Sequence, residues 1–262
     1  MKKDDISMAD AHCHLQDPRI LPMAEAVILR ARSAGVRLIH CCGTRESDWD
    51  AVLAIGARHP EVSVSLGLHP WHLSGRSEGW LERLRGLLER NPAGVGEIGL
   101  DHALPGADRG DQAAVFIGQL RLAKSLGRPV TIHCRKAWGA LVEILRAEGG
   151  LSHGGLIHAY AGSRELVPVF EGLGCHLSFS GTITRPGNRR AKTALPAVDP
   201  RRLLIETDSP DLLPEGAPGP HNEPSELGRV LVAAAAARDT SPESLGKLTS
   251  ENFRKLFEGI LK

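Results

Sequence analysis

Two histidines one residue apart, His12 and His14 in the stretch DAHCHLQD (residues 10–17), are the first side chains in the chain that could do chemistry. In an extended segment alternate side chains point the same way, so this pair at the end of a strand aims both imidazoles at one point; a helix would need a spacing of three or four. Other titratable residues occupy comparable places. His69 falls in VSVSLGLHP (62–70), Glu97 in AGVGEIGLD (93–101), His133 in PVTIHCR (129–135) and His158 in GGLIHAY (154–160), and Asp208 ends RLLIETD (202–208). A histidine or glutamate inside an apolar run carries a desolvation cost unless it is paired or metal-bound. Mixed imidazole and carboxylate ligands suit Zn²⁺, Mn²⁺ or similar ions, whereas Ca²⁺ and Mg²⁺ prefer oxygen shells. The set His12, His14, Glu97, His133, His158 and Asp208 is too large for one tetrahedral ion with an open position. It suits two divalent ions ~3.5–4 Å apart, with a carboxylate and a hydroxide shared between them, an arrangement used in hydrolysis. Zn, Mn and Mg are the candidate ions.

The elements that must position these residues are short runs rich in Val, Ile and Leu. Besides the runs above they include VRLIHCC (36–42) and GCHLSFSG (174–181), and with the segment from Ile6 to His14 they number eight. Between them lie helical patterns such as GWLERLRGLLERN (79–91) and DQAAVFIGQLRLAKSLG (111–127), the second ending on a glycine where helices commonly stop. Near-continuous apolar strands alternating with helices predict a parallel sheet covered on its outer side. Eight such units in this length predict a (β/α)₈ TIM barrel forming one domain over residues 1–262, with an open doubly wound sheet as the alternative. In a parallel barrel the C-terminal strand ends converge on one face, where the seven polar positions would meet. LLPEGAPGPHNEP (212–224) reads as the loop after the eighth strand. Ser241 and Pro242 read as the N-cap and first-turn residues of closing helices.

Composition narrows the classes of function. A net charge of +1 excludes a globally basic nucleic-acid binder but permits a local basic patch. No apolar run approaches the roughly 18 residues of a membrane helix, and MKKDDISM lacks the apolar core of a secretory leader. Five cysteines without a C-x-x-C spacing argue against a disulfide framework and for the cytoplasm. No obligate protein partner is evident.

The ordered stretches DAHCHL, GLHP, VGEIGLD, PVTIHCR, LIHAYAGS, SFSG, LIETDSP and NEP resemble, across essentially the whole chain, the signature motifs of the TatD family of metal-dependent hydrolases in the amidohydrolase superfamily. The resemblance implies a TIM-type barrel of the metallo-dependent hydrolase kind, a divalent-metal site and deoxyribonuclease activity. It further implies that His12, His14 and Asp208 hold one ion and His133 and His158 the other, with Glu97 bridging. By the same resemblance Asp208 accepts the proton of the attacking water, and His69 lies at the mouth near the substrate. Three positions depart from the usual pattern: His102 replaces an aromatic, Ala159-Tyr160 replaces Cys-Phe, and His221 replaces an arginine. None removes a ligand, but all fall in loops that shape the pocket.

The residues themselves agree with this chemistry. Metal-bound water can have its pKa lowered to about 7, which gives a hydroxide nucleophile at neutral pH. Phosphodiester cleavage also needs positive charge on the non-bridging oxygens, and Arg135, two residues past His133 and on the same side by alternation, is the candidate phosphate contact. Arg185, Arg189, Arg190 and Lys192 follow the seventh strand and could guide a nucleic-acid strand, while Arg201 and Arg202 fall on the opposite face. Glu206 reads as structural support, and Glu223 as a loop-orienting hydrogen-bonding group. His40, His59, His72, His153 and His176 read as ordinary, and Cys13 and Cys134 point away from the site into packing. The expected activity is a metal-dependent deoxyribonuclease acting on DNA, as single strands or ends. An amidohydrolase or esterase on a small substrate would keep the site, since the fold does not fix the chemistry, and the 4% aromatic content favours that alternative. A catalytically inactive metal-binding scaffold is the non-enzymatic alternative.

Overall fold

Strand and helix alternate along the whole chain of the computed structural model, which describes residues 7–261. Most of the segment read for a leader, and Ile6 at the start of the first run, lie outside the described residues. The eight strands are β1 (Met8–Cys13), β2 (Val36–Cys42), β3 (Val62–Leu66), β4 (Gly94–Asp101), β5 (Val130–Arg135), β6 (Gly155–Ile157), β7 (Cys175–Phe179) and β8 (Leu203–Ile205). Between them run α1 (Ala24–Ser33), α2 (Trp49–Arg58), α3 (Trp80–Arg90), α4 (Arg109–Leu126), α5 (Trp138–Ala147), α6 (Val167–Gly172) and α7 (Arg189–Ala194). Helices α8 (Leu227–Ala237) and α9 (Pro242–Phe257) follow the last strand.

All neighbouring strands pair in parallel in the order β1 to β8. The sheet closes on itself just beyond the strand ends, where Cys13 bridges Ser209 in parallel. There the His14 N–H donates to the Ser209 carbonyl at 2.7 Å, and the Asp208 N–H donates to the His12 carbonyl at 2.9 Å. The architecture is therefore the (β/α)₈ barrel that the alternating runs predict. Strands β1, β3 and β4 are buried along their entire length, as expected when helices cover the outer side and packed side chains fill the inner one.

Local signals set the helix ends. The Asp108 side chain accepts the Gly110 and Asp111 N–H groups, so α4 begins earlier than the apolar pattern suggested. It stops at Gly127, whose φ of 65° suits a residue without a Cβ. Ser241 caps α9 by accepting the Ser244 N–H, with Pro242 in the first turn. Two apolar runs overshoot their strands: β6 ends at Ile157 and β8 at Ile205, so His158 and Asp208 lie just past the sheet. Ala159 (φ 43°) and Asp208 (φ 57°) then take left-handed backbone, which turns the chain away from the strand direction. Among the described residues no helix is long and apolar enough to cross a membrane.

Candidate metal centre

Strand β1 leads into the site. Ala9 and Ala11 pack with Phe253, Leu256 and Phe257 of α9 and with Leu156 of β6 and Leu204 of β8, and the pairing with β2 shifts register between Asp10 and Cys13, where completely buried His12 sits. His14 lies just beyond the strand, and its Nδ1 donates to the Cys42 carbonyl at 2.9 Å. In β4 the alternate residues Glu97, Gly99 and Asp101 face β5. A side chain at Gly99 would place its Cβ 2.0 Å from the His133 carbonyl oxygen, so glycine lets the two strands approach at His133.

The two carboxylate oxygens of Glu97 face two different histidine sets. Oε2 lies 3.3 Å from both His12 Nε2 and His14 Nε2. Those nitrogens are 3.2 Å apart, and Asp208 Oδ1 lies 3.4 and 3.5 Å from them. Oε1 lies 3.1 Å from His133 Nδ1, 2.8 Å from His158 Nε2 and 3.3 Å from His69 Nε2. The His133 Nδ1 and His158 Nε2 atoms are 3.2 Å apart. Ligand atoms around one tetrahedral ion at ~2.0–2.2 Å stand roughly 3.3–3.6 Å apart. The first set matches that spacing, and the second is slightly tighter. The residues present therefore fit two divalent ions, one on each side of Glu97.

Hydrogen bonds behind the imidazoles decide which nitrogens are free to ligate. With Nδ1 donating to a carbonyl, His14 keeps a lone pair on Nε2. His133 Nε2 faces Asp101 Oδ2 at 3.3 Å, which leaves Nδ1 toward Glu97. His158 Nδ1 faces Glu206 Oε1 at 3.5 Å, beyond good hydrogen-bonding distance, and His12 Nδ1 is buried without a partner. His69 differs. Its Nδ1 accepts the Trp71 backbone N–H at 3.1 Å, so in the neutral ring Nε2 carries the proton and donates toward Glu97. Although its ligand atoms cluster with those of Glu97 and His133, His69 is thus a hydrogen-bond donor to the site and not a fifth imidazole ligand.

Charge in the centre is held by protons. Burial opposes ionisation of Glu97, but His158, His69 and His12 around it hold its carboxyl well below the usual carboxylate range. Burial likewise opposes charge on His14, yet Asp208 and Glu97 hold it well above the usual histidine value. His158 is raised in the same way, against burial, by Glu97 and Glu206, and His133, also against burial, by Asp101 and Glu97. Burial pushes His69 down to about 4 and lowers His12 as well. Four buried carboxylates, Glu97, Asp101, Glu206 and Asp208, thus draw positive charge onto three imidazoles, the compensation a divalent cation would supply in exchange for those protons.

The centre forms the floor of a cavity of about 1190 Å³. His14, His69, Glu97, His133, His158 and Asp208 all line it, while His12 is completely buried behind them. Arg135 also lines it and is exposed. The basic group after β7 is divided: Arg185 lines the cavity, whereas Arg189 and Arg190 are exposed on α7 and do not. Arg201 is solvated beside Asp199. Glu206 is completely buried, accepting the Ala159 N–H at 2.7 Å and the Ser178 hydroxyl. Glu223 pairs with Arg30 of α1 at 2.8 Å. His72, read from sequence as ordinary, lines the cavity. His102, Tyr160 and His221 do not, and the Tyr160 hydroxyl is spent on the Ser163 carbonyl. Sequence reasoning passed over Asp101 and Trp71. Asp101 had a signal, since it shares the parity of Glu97; Trp71 had none beyond following His69 and Pro70.

The family model described as TatD related DNase matches residues 9–258. The chain is 32% identical over 251 residues to the uncharacterized metal-dependent hydrolase YjjV of Escherichia coli K12, covering 95% of this chain and 96% of that one. The crystal structure of that protein superposes with a TM-score of 0.91, covering 96% of this chain and 98% of that chain. It is also 32% identical over 260 residues to the 3'-5' ssDNA/RNA exonuclease TatD of Edwardsiella piscicida, covering 95% and 99% of the two chains.

Proposed function

Given that the chain belongs to the TatD-related DNase family and is a metal-dependent hydrolase, we propose that it is a deoxyribonuclease that hydrolyses phosphodiester bonds in single-stranded DNA or at strand ends. The observation that carries this reading is the two-sided Glu97, with a separate histidine set on each carboxylate oxygen at the floor of one cavity. His12, His14 and Asp208 would hold one divalent ion and His133 and His158 the other, with Glu97 between them. Bound divalent ions polarise phosphoryl oxygens and make water a nucleophile at neutral pH.

The protein's own groups supply the rest. Asp208 Oδ1 faces the histidines, and among the described residues its other oxygen has no hydrogen-bond partner, so that oxygen accepts the proton of the attacking water. His69, neutral at physiological pH, donates from Nε2 and orients Glu97 or a substrate oxygen. Arg135 makes no side-chain ion pair or hydrogen bond among the described residues, which leaves its guanidinium available to a phosphate. The relative named as an exonuclease on ssDNA and RNA supports the nucleic-acid reading. Five buried, unpaired cysteines support a reducing compartment such as the cytoplasm.

The test is cleavage of an end-labelled single-stranded oligodeoxynucleotide with Mg²⁺ or Mn²⁺, beside Asp208→Asn. Metal-dependent cleavage that falls by about 10²- to 10⁴-fold in the variant is the expected result. No cleavage by protein shown to contain metal would overturn it and favour a small ester or amide substrate.

A further inference from the structure

Trp71 is the one aromatic side chain among the described residues that is largely open to solvent. The chain has four Trp, one Tyr and five Phe. All five Phe, Tyr160 and Trp49 are buried, and Trp80 and Trp138 pack against the core. Trp71 is 50% exposed, and its open surface lies on the cavity wall.

A lone exposed tryptophan on an outer surface would call for no explanation. This one is anchored from behind. Its indole Nε1 donates to Asp101 Oδ2 at 2.7 Å, and Asp101 is completely buried and also faces His133. The indole stands nearly perpendicular to the imidazoles of His69 and His133, at centroid distances of 4.9 and 5.9 Å. A large apolar ring, half of its surface open, is thus held by one hydrogen bond and two ring contacts immediately beside the candidate metal ligands. A flat aromatic face next to a phosphodiester site matches a nucleobase, because every base offers a π-face of its own. A base inside a duplex is already stacked on both sides and cannot use such a platform without being extruded.

We infer that Trp71 is a stacking platform for one unpaired nucleobase next to the scissile phosphodiester, and that through it the enzyme selects unpaired strand ends. This rests on the phosphodiesterase reading above. The platform takes a single base, since among the described residues no second exposed Trp, Tyr or Phe lines the cavity. Affinity beyond that base comes from the cavity arginines.

The experiment measures fluorescence anisotropy of a labelled oligothymidylate on the full chain carrying Asp208→Asn, with Mn²⁺ present, alone and combined with Trp71→Ala or Trp71→Phe. A second strand lacks its terminal bases. We expect Trp71→Ala to weaken binding of the intact strand by roughly tenfold or more. Trp71→Phe, which loses the bond to Asp101 but keeps a ring, should recover most of it. The parent should bind the abasic strand about as weakly as Trp71→Ala binds the intact one. Equal affinity of Trp71→Ala and the parent for the intact strand would overturn the inference, and so would the same loss on both strands, which marks a structural role. If the active chain cleaves the oligonucleotide while the Trp71 variants bind like the parent, only this inference falls. If it cleaves no oligonucleotide at all, the phosphodiesterase reading falls and takes this with it.

Discussion

Asp101 Oδ2 is shared by Trp71 Nε1 at 2.7 Å and His133 Nε2 at 3.3 Å, so one buried carboxylate joins the cavity wall to the candidate metal floor. Its other oxygen accepts the Ala103 N–H at 2.8 Å, which fixes its direction. Carboxylates behind ligating histidines set ring orientation and basicity. Replacing Asp101 with Ala should lower metal affinity by about 10- to 100-fold, and Asp101→Asn, whose single oxygen can still accept the Trp71 and His133 N–H groups while the Ala103 N–H loses its acceptor, should lower it less. Metal titration against a chromophoric chelator reads this directly. Equal affinity in Asp101→Ala and wild type would remove Asp101 from the site.

Glu206 serves a neighbouring histidine by a different route. It holds the Ala159 N–H and the Ser178 hydroxyl in a completely buried pocket, and Ala159 has the left-handed backbone that turns the chain after His158. Glu206→Ala leaves both donors unpaired, each worth about 1–3 kcal/mol. Chemical denaturation of the metal-free protein should show a loss of that order. A midpoint unchanged from wild type would mean that water replaces the carboxylate at no cost.

Acid sensitivity should have a component far from the centre. His176 on β7 is pushed down to about 4 by burial, with Arg202 adding to the effect, and its Nδ1 is buried without a partner. The folded state holds this imidazole neutral while the unfolded chain takes up a proton below about pH 6.5. Its contribution is therefore intact above pH 6.5 and is lost as pH falls toward 4, up to about 3 kcal/mol in all. His176→Gln should flatten the stability profile between those values in chelator-treated protein. His40 and His69, also shifted down by burial, keep the profile from becoming level. A slope identical to wild type would show that the His176 environment opens to solvent.

Salt dependence should separate the arginines by position. Arg135 and Arg185 line the cavity, whereas Arg189 and Arg190 do not. Each single-strand phosphate neutralised contributes about 0.7 to the slope of log affinity against log salt. Arg135→Ala and Arg185→Ala should each flatten the slope by about that amount, and the double reversal Arg189→Glu with Arg190→Glu should change it less than either. A larger change from the double reversal would move the nucleic-acid path onto α7.

The barrel and the polar centre were legible because both follow from parity and periodicity. His12 and His14 share a face by alternation, and their Nε2 atoms meet at 3.2 Å. Parity gives direction but not depth: Glu206 and Asp208 both face the histidines, yet Glu206 is completely buried behind His158 and only Asp208, at φ 57°, reaches the cavity. Trp71 was illegible for another reason. It sits in a 3₁₀ turn (Pro70–Gly75) after β3, and its exposure depends on what other loops leave uncovered. The basic cluster after β7 looked like one patch because adjacency in sequence says nothing of a helix that begins partway through it.

Barrel closure ties the earliest polar residues of the centre to the latest. The His14 N–H meets the Ser209 carbonyl, and the Asp208 N–H meets the His12 carbonyl. On the ribosome, His12 and His14 must wait for almost the whole of the rest of the barrel to be translated before Asp208 exists, so a nascent or truncated chain cannot assemble the four-atom set they share with Glu97. Such wide loop closure is reached late in folding, after its entropy has been offset by the intervening strands. A hydrolase built this way is silent until its last strand is in place, and metal uptake reports completion of the barrel.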